Sequence, residues 1–147
     1  ERMKPFNNFK RFLFILIQCT WALGPTIMGF LYFLKNIKCP HRWYRGAIET
    51  QWNSKYMGLS LGLFIFTPTN EQDYYSKCKV HEYGHCFQAM LLGPFYLIVG
   101  IISTSWGMLP VFKKLREQKK IRYTACFVEG WASKWGELAT GEEAVWD

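Results

Sequence analysis

Histidine is scarce in this chain, and a disulfide framework is missing. Only three histidines occur in 147 residues: His41, His81 and His85. The five cysteines, Cys19, Cys39, Cys78, Cys86 and Cys126, are odd in number and share no C-x-x-C spacing. That argues against a disulfide-stapled scaffold and for reduced thiols, facing the cytoplasm or buried. Acidic residues are also short, 11 against 18 lysines and arginines, for a net charge of +7. No nucleic-acid-binding motif accompanies the excess, and most of it borders apolar segments. Such clusters suit anionic headgroups, at about 1 kcal/mol per residue near a membrane surface, better than nucleic acid. The sequence opens without methionine and without a signal-peptide cleavage pattern, as expected of a mature or trimmed form. At this length one domain, 1–147, is expected.

What is abundant is apolar surface. Half the residues are hydrophobic and 18% are aromatic, more than a small core can enclose. Two stretches carry no charge, Phe12–Leu34 and Phe95–Phe112. The first, as a straight helix of about 34 Å, would cross a bilayer core. Gly24-Pro25 interrupts its centre. Basic residues flank both ends: Arg2, Lys4, Lys10 and Arg11 before it, Lys35, Lys38, Arg42 and Arg45 after it. A kinked span and a re-entrant hairpin both fit, and the positive-inside rule does not choose between them. The second stretch runs into the basic segment Lys113–Arg122. That order places the segment after it toward the cytoplasmic face of a membrane.

His81-Glu82-Tyr83-Gly84-His85 spells H-E-x-x-H. On a helix, residues i and i+4 share a face, so both imidazoles aim at one point with Glu82 beside them. This arrangement suits a zinc ion held by the histidines, with the glutamate as general base for an attacking water. A helix over 73–92 is expected, with Asp73 as N-cap, Gly93 as C-cap and Pro94 ending it. Gly84 either leaves room at the metal or allows tight helix packing. Cys86, about 100° round the helix from His85, belongs to the core.

A catalytic zinc site needs a third protein ligand. Two candidates stand out: Glu129, in a helix expected over 125–136, and His41. A glutamate from a downstream helix resembles the ligand arrangement of gluzincin metallopeptidases. The wider pattern resembles a family of small bacterial membrane-associated HExxH proteins. Its carriers are Val80 to Gln88, Leu92-Gly93-Pro94-Phe95-Tyr96-Leu97, Glu129-Gly130-Trp131-Ala132, Tyr44 to Ile48, and Gly58 to Phe66. The resemblance covers most of 43–136 and implies a gluzincin-like zinc site. Relatives tend to carry Asp four residues after the ligand glutamate, where it orients a ligand histidine. Ser133 stands there in this chain, and only as a neutral partner.

Ala47–Trp52 and Leu59–Phe66 read as strands around a turn at Asn53-Ser54-Lys55, a β-hairpin over 47–66. Its edge either offers main-chain bonds to an extended peptide or packs on the metal helix. The expected fold is mainly α with this hairpin, α+β, a minimal zincin-like core with membrane-embedded or membrane-associated helices. Zn²⁺ is expected on His81, His85 and Glu129. Glu82 is the expected base, and Tyr123 the expected donor to the oxyanion, ahead of Arg122, His41 and Tyr83. Hydrolysis of a membrane-proximal peptide follows. A membrane scaffold with structural or vestigial zinc, or a small membrane-active toxin, are the rival readings. The first gives Glu82 no purpose, and the second leaves the motif unexplained.

Overall fold

The computed structural model describes residues 6–146, so Arg2 and Lys4 lie outside the described residues. In chain order the elements are α1 (Asn8–Cys19), α2 (Leu23–Lys35), β1 (His41–Tyr44), β2 (Ala47–Gln51), β3 (Leu59–Leu61), β4 (Phe64–Thr67), α3 (Gln72–Leu92), α4 (Tyr96–Met108), α5 (Pro110–Lys119) and α6 (Phe127–Thr140). Short 3₁₀ turns occupy Gly93–Phe95 and Tyr123–Ala125. The chain is therefore mainly helical with one small sheet, an α+β arrangement.

The sheet order is β1-β2-β4-β3. The expected hairpin over 47–66 does not form. β2 and β4 pair in parallel, from Ile48 opposite Phe64 to Gln51 opposite Thr67. Two tighter turns make the antiparallel pairs instead. Arg45 and Gly46, with φ of 47° and 90°, return the chain from β1 to β2. Gly62, at φ 61°, splits the stretch Leu59–Phe66 into β3 and β4. Glycine is doubly required there: positive φ strains other residues, and a Cβ would fall 2.2 Å from Thr26 Oγ1. All four residues of β4 are buried. Phe64, Ile65 and Phe66 form a core with Phe14 of α1 and Tyr83 and Cys86 of α3.

The apolar segment Phe12–Leu34 is two helices, not one. α1 and α2 meet at 95° across Thr20–Ala22. The bend precedes Gly24-Pro25, because Pro25 sits in the first turn of α2, where its missing N–H costs nothing. Gln18 secures α1 to α3, its Nε2 donating to the Cys86 carbonyl at 3.0 Å.

The H-E-x-x-H helix α3 begins slightly earlier than expected. Glu71 occupies the N-cap position, and Asp73 lies in the first turn, 3.2 Å from Lys77. Gly93 closes the helix as expected, with φ 55° and ψ −122°. Counted as one helical run, Gln72–Met108 has 37 residues and a mean hydropathy of 1.8 in its most apolar window. By length and composition it is long and apolar enough to cross a membrane. It is not a straight rod. The Tyr96 ring stands 6.4 Å from that of His85, although eleven helical residues would separate them by about 16 Å. The helical run is interrupted at Gly93, whose positive φ leaves the helical range, and the 3₁₀ turn Gly93–Phe95 joins α3 to α4. α4 itself ends at Met108, because Leu109, preceding Pro110, is held extended.

Candidate metal centre

Glu129 reaches the H-E-x-x-H face because α3 and α6 approach unusually closely. A Cβ on Gly84 would fall 1.7 Å from the Ala132 carbonyl oxygen of α6. A Cβ on Gly136 would fall 2.1 Å from the Val80 carbonyl oxygen of α3. Each helix thus presents a bare glycine to the other's backbone. The two readings of Gly84 merge, since tight packing is what delivers the third ligand. α6 starts two residues later than the expected 125–136 helix and runs four residues further.

His81, His85 and Glu129 are all buried, and their candidate ligand atoms lie within 4.8 Å of one another. Glu129 Oε2 stands 3.0 Å from His81 Nε2 and 3.2 Å from His85 Nε2. Tetrahedral ligation with bonds of about 2.0–2.1 Å sets ligand atoms about 3.3 Å apart, close to both separations. His41, the alternative third ligand, is elsewhere. It is exposed on β1, its Nδ1 3.0 Å from the Cys39 carbonyl and its ring against Phe33.

The hydrogen-bond partners of the two imidazoles leave their other nitrogens suited to a cation. The Ser133 hydroxyl has one proton and donates it to the Val145 carbonyl at 2.5 Å. It must therefore accept from His81 Nδ1, 2.7 Å away. Gln88 Nε2 donates to the Val128 carbonyl at 2.8 Å, leaving its Oε1 to accept from His85 Nδ1 at 2.6 Å. In their neutral forms the two imidazoles then carry their proton on Nδ1 and turn the Nε2 lone pair toward the same carboxylate oxygen. Facing lone pairs repel, and a buried carboxylate needs compensation. A metal ion supplies both. Glu129 Oε1, buried without any hydrogen-bond partner, is a further free donor. A proton on His85 would compensate the carboxylate in the same way: burial opposes the imidazolium, but Glu129 outweighs it and raises the His85 pKa to about 9. The residues present therefore fit a metal ion.

The neighbouring groups sort clearly. Glu82 is buried on the same helix, against the backbone of Gly58, where a Cβ would meet its Oε1 at 2.3 Å. Tyr123 lies beside the centre. Burial, and then the Glu129 carboxylate, push its hydroxyl above the ordinary range, so it stays a neutral donor. Tyr83 points into the core and donates to the Arg45 carbonyl at 2.8 Å, and Arg122 is exposed. Neither is placed as an oxyanion donor. Cys86 is buried against Ser60, as expected of a core thiol. β3 is the sheet edge beside α3, and its Ser60 carbonyl already accepts from the Tyr96 hydroxyl at 2.8 Å. A peptide adding at that position would have to displace Tyr96.

Two contributors escaped the sequence reading. Gln88 lies one turn after His85, a spacing that put it on the ligand face. The Val145 carbonyl left no local signal, because it reaches Ser133 only through the fold. No protein-family model, curated protein or solved structure matches the chain.

Proposed function

We propose that this chain is a membrane-associated zinc metallopeptidase. One observation carries the reading: two imidazoles with committed Nδ1 protons converge with Glu129 on one point, beside the buried Glu82. Imidazole and carboxylate donors in a tetrahedral spacing suit zinc. When bound, zinc supplies Lewis acidity that lowers the pKa of water toward about 7. Glu82 takes the proton from the attacking water and passes it to the leaving amine. Tyr123 donates to the carbonyl oxygen as negative charge develops there. Ser133 and Gln88 hold the ligand tautomers throughout.

A structural zinc site closes with four protein ligands. Among the described residues this group has three, which leaves a position for water or substrate. A scaffold also gives no purpose to Glu82. The exposed apolar helices support a peptide substrate close to a membrane, and the basic segment Lys113–Arg122 favours a site toward the cytoplasmic face.

The test is Glu82→Gln, which preserves shape and removes the base. Purified wild-type protein, incubated with a peptide library and read by mass spectrometry, should give cleavage products. The variant should keep its zinc and cleave about 10²–10⁴-fold more slowly. Equal cleavage by both proteins overturns the mechanism.

A further inference from the structure

The apolar surface has a definite geometry. α1, α2 and α4 are 12, 13 and 13 residues long, about 18–20 Å each. None alone matches a bilayer core of about 30 Å. Each shows one apolar stripe outward at helical spacing: Phe9, Phe12 and Leu16 on α1, Leu23, Ile27 and Leu31 on α2, and Ile98, Ile101 and Met108 on α4. The opposite faces are packed, with Phe14 and Gln18 of α1 buried and Gly29 of α2 pressed on the Leu61 carbonyl.

The α1–α2 bend lies against the junction of α3 and α4. Trp21, at the α1–α2 bend, donates from Nε1 to the Leu91 carbonyl at 3.2 Å. A Cβ on Gly93, at the α3–α4 bend, would fall 2.3 Å from the Trp21 ring. Trp21, Leu23, Leu91 and Phe95 are nonetheless exposed, Leu91 and Phe95 at 60% each. These four side chains form one apolar tip. Charge occupies the other ends of the same helices: Lys10 and Arg11 open α1, Lys35 and Lys38 close α2, and Lys113 and Lys114 follow α4.

We infer that the occupant of the α1–α2 surface is one leaflet of an anionic bilayer, entered by the tip, with neither α1 nor α2 crossing. Two arms of about 18–20 Å meeting near 90°, inserted symmetrically, reach a depth of about 13 Å, close to half the core. Lys10 and Arg11 at one end and Lys35 and Lys38 at the other then lie at headgroups of the same face. That arrangement accounts for the basic flanks on both sides of Phe12–Leu34. The topology rests on the membrane association proposed above and is independent of the metal chemistry.

The native Cys19, exposed at the end of α1, reports on the tip. In full-length protein with Cys39 and Cys126 replaced by serine, Cys19 should resist a membrane-impermeant maleimide in sealed vesicles from expressing cells. Detergent should then expose it. In the same background with Cys19 also replaced by serine, Lys10→Cys and Lys38→Cys should react in one vesicle orientation, right-side-out or inside-out, and both in the same one. Lys10→Cys and Lys38→Cys reacting in opposite orientations makes Phe12–Leu34 a broken span. That overturns the single-leaflet topology but keeps membrane association. Recovery of the protein without detergent, as a monomer or as an oligomer of this chain, overturns both, and so does Cys19 labelling as fast as Lys10→Cys.

Discussion

Adding one methyl group at Gly84 should cost the chain its metal while leaving its fold largely intact. In Gly84→Ala the new Cβ would sit 1.7 Å from the Ala132 carbonyl oxygen. An ordinary carbon–oxygen contact is about 3.3 Å, so α6 must retreat by about 1.6 Å. The oxygen is backbone in mid-helix and cannot rotate away. Metal–ligand distances tolerate about 0.2 Å, and Glu129 rides on the helix that moves. Overpacking costs about 1–3 kcal/mol, and the better helix propensity of alanine returns about 1 kcal/mol. The net destabilisation is about 0–2 kcal/mol, which a domain of this size survives. Zinc affinity should fall by about a hundredfold or more, beyond the usual effect of losing an outer contact. Chelator competition measures the affinity, and thermal unfolding of the metal-free protein measures the stability. Gly100→Ala is the control, because a Cβ there meets nothing within 4 Å. It should leave affinity unchanged. If Gly84→Ala binds zinc as wild type does, the close crossing of α3 and α6 does not position Glu129, and the reasoning fails.

Ser133→Ala and Gln88→Ala should each weaken zinc about 10–100-fold by freeing an imidazole to rotate, and unchanged chelator competition would show that neither contact orients a ligand. Tyr123→Phe should keep full zinc and slow peptide cleavage by about 10²–10³-fold, and normal turnover would remove Tyr123 from the mechanism. Gly58→Ala should also keep zinc but reduce cleavage, because the added Cβ displaces the Glu82 carboxylate; zinc loss instead would show that Gly58 supports the fold of the centre. Chelation should lower the melting temperature of the wild type, since a ligand bound only to the folded state stabilises it. The melting temperature of Glu129→Ala should not respond.

The parts of this protein that were legible in its sequence are those set by spacing within one helix. His81 and His85 share a face by period alone, and Gly93 with Pro94 marks a helix end that the structure reproduces. Glu129 was reachable because its own segment reads as a helix. The sheet was misread for a physical reason: Leu59–Phe66 is so uniformly apolar that alternation could not reveal the turn at Gly62, and the Asn53-Ser54-Lys55 turn signal outcompeted it. Arg45-Gly46 offered the correct turn but lay outside the expected hairpin. Gly24-Pro25 misplaced the bend in the first apolar stretch, because a proline one turn into a helix signals its start rather than a kink. The support behind the ligands was legible only in part. Ser133 could be placed by its offset from Glu129, whereas the Val145 carbonyl that fixes the Ser133 proton comes from a segment with no periodic relation to it.

Metal analysis of the purified full chain tests the account most directly. The wild type should contain about one zinc ion per chain, because His81, His85 and Glu129 make one site. Glu129→Ala should lose most of it, and His41→Ala should keep it all. A wild-type protein that takes up no zinc when supplied with it, or a Glu129→Ala variant that retains the full complement, would contradict the account.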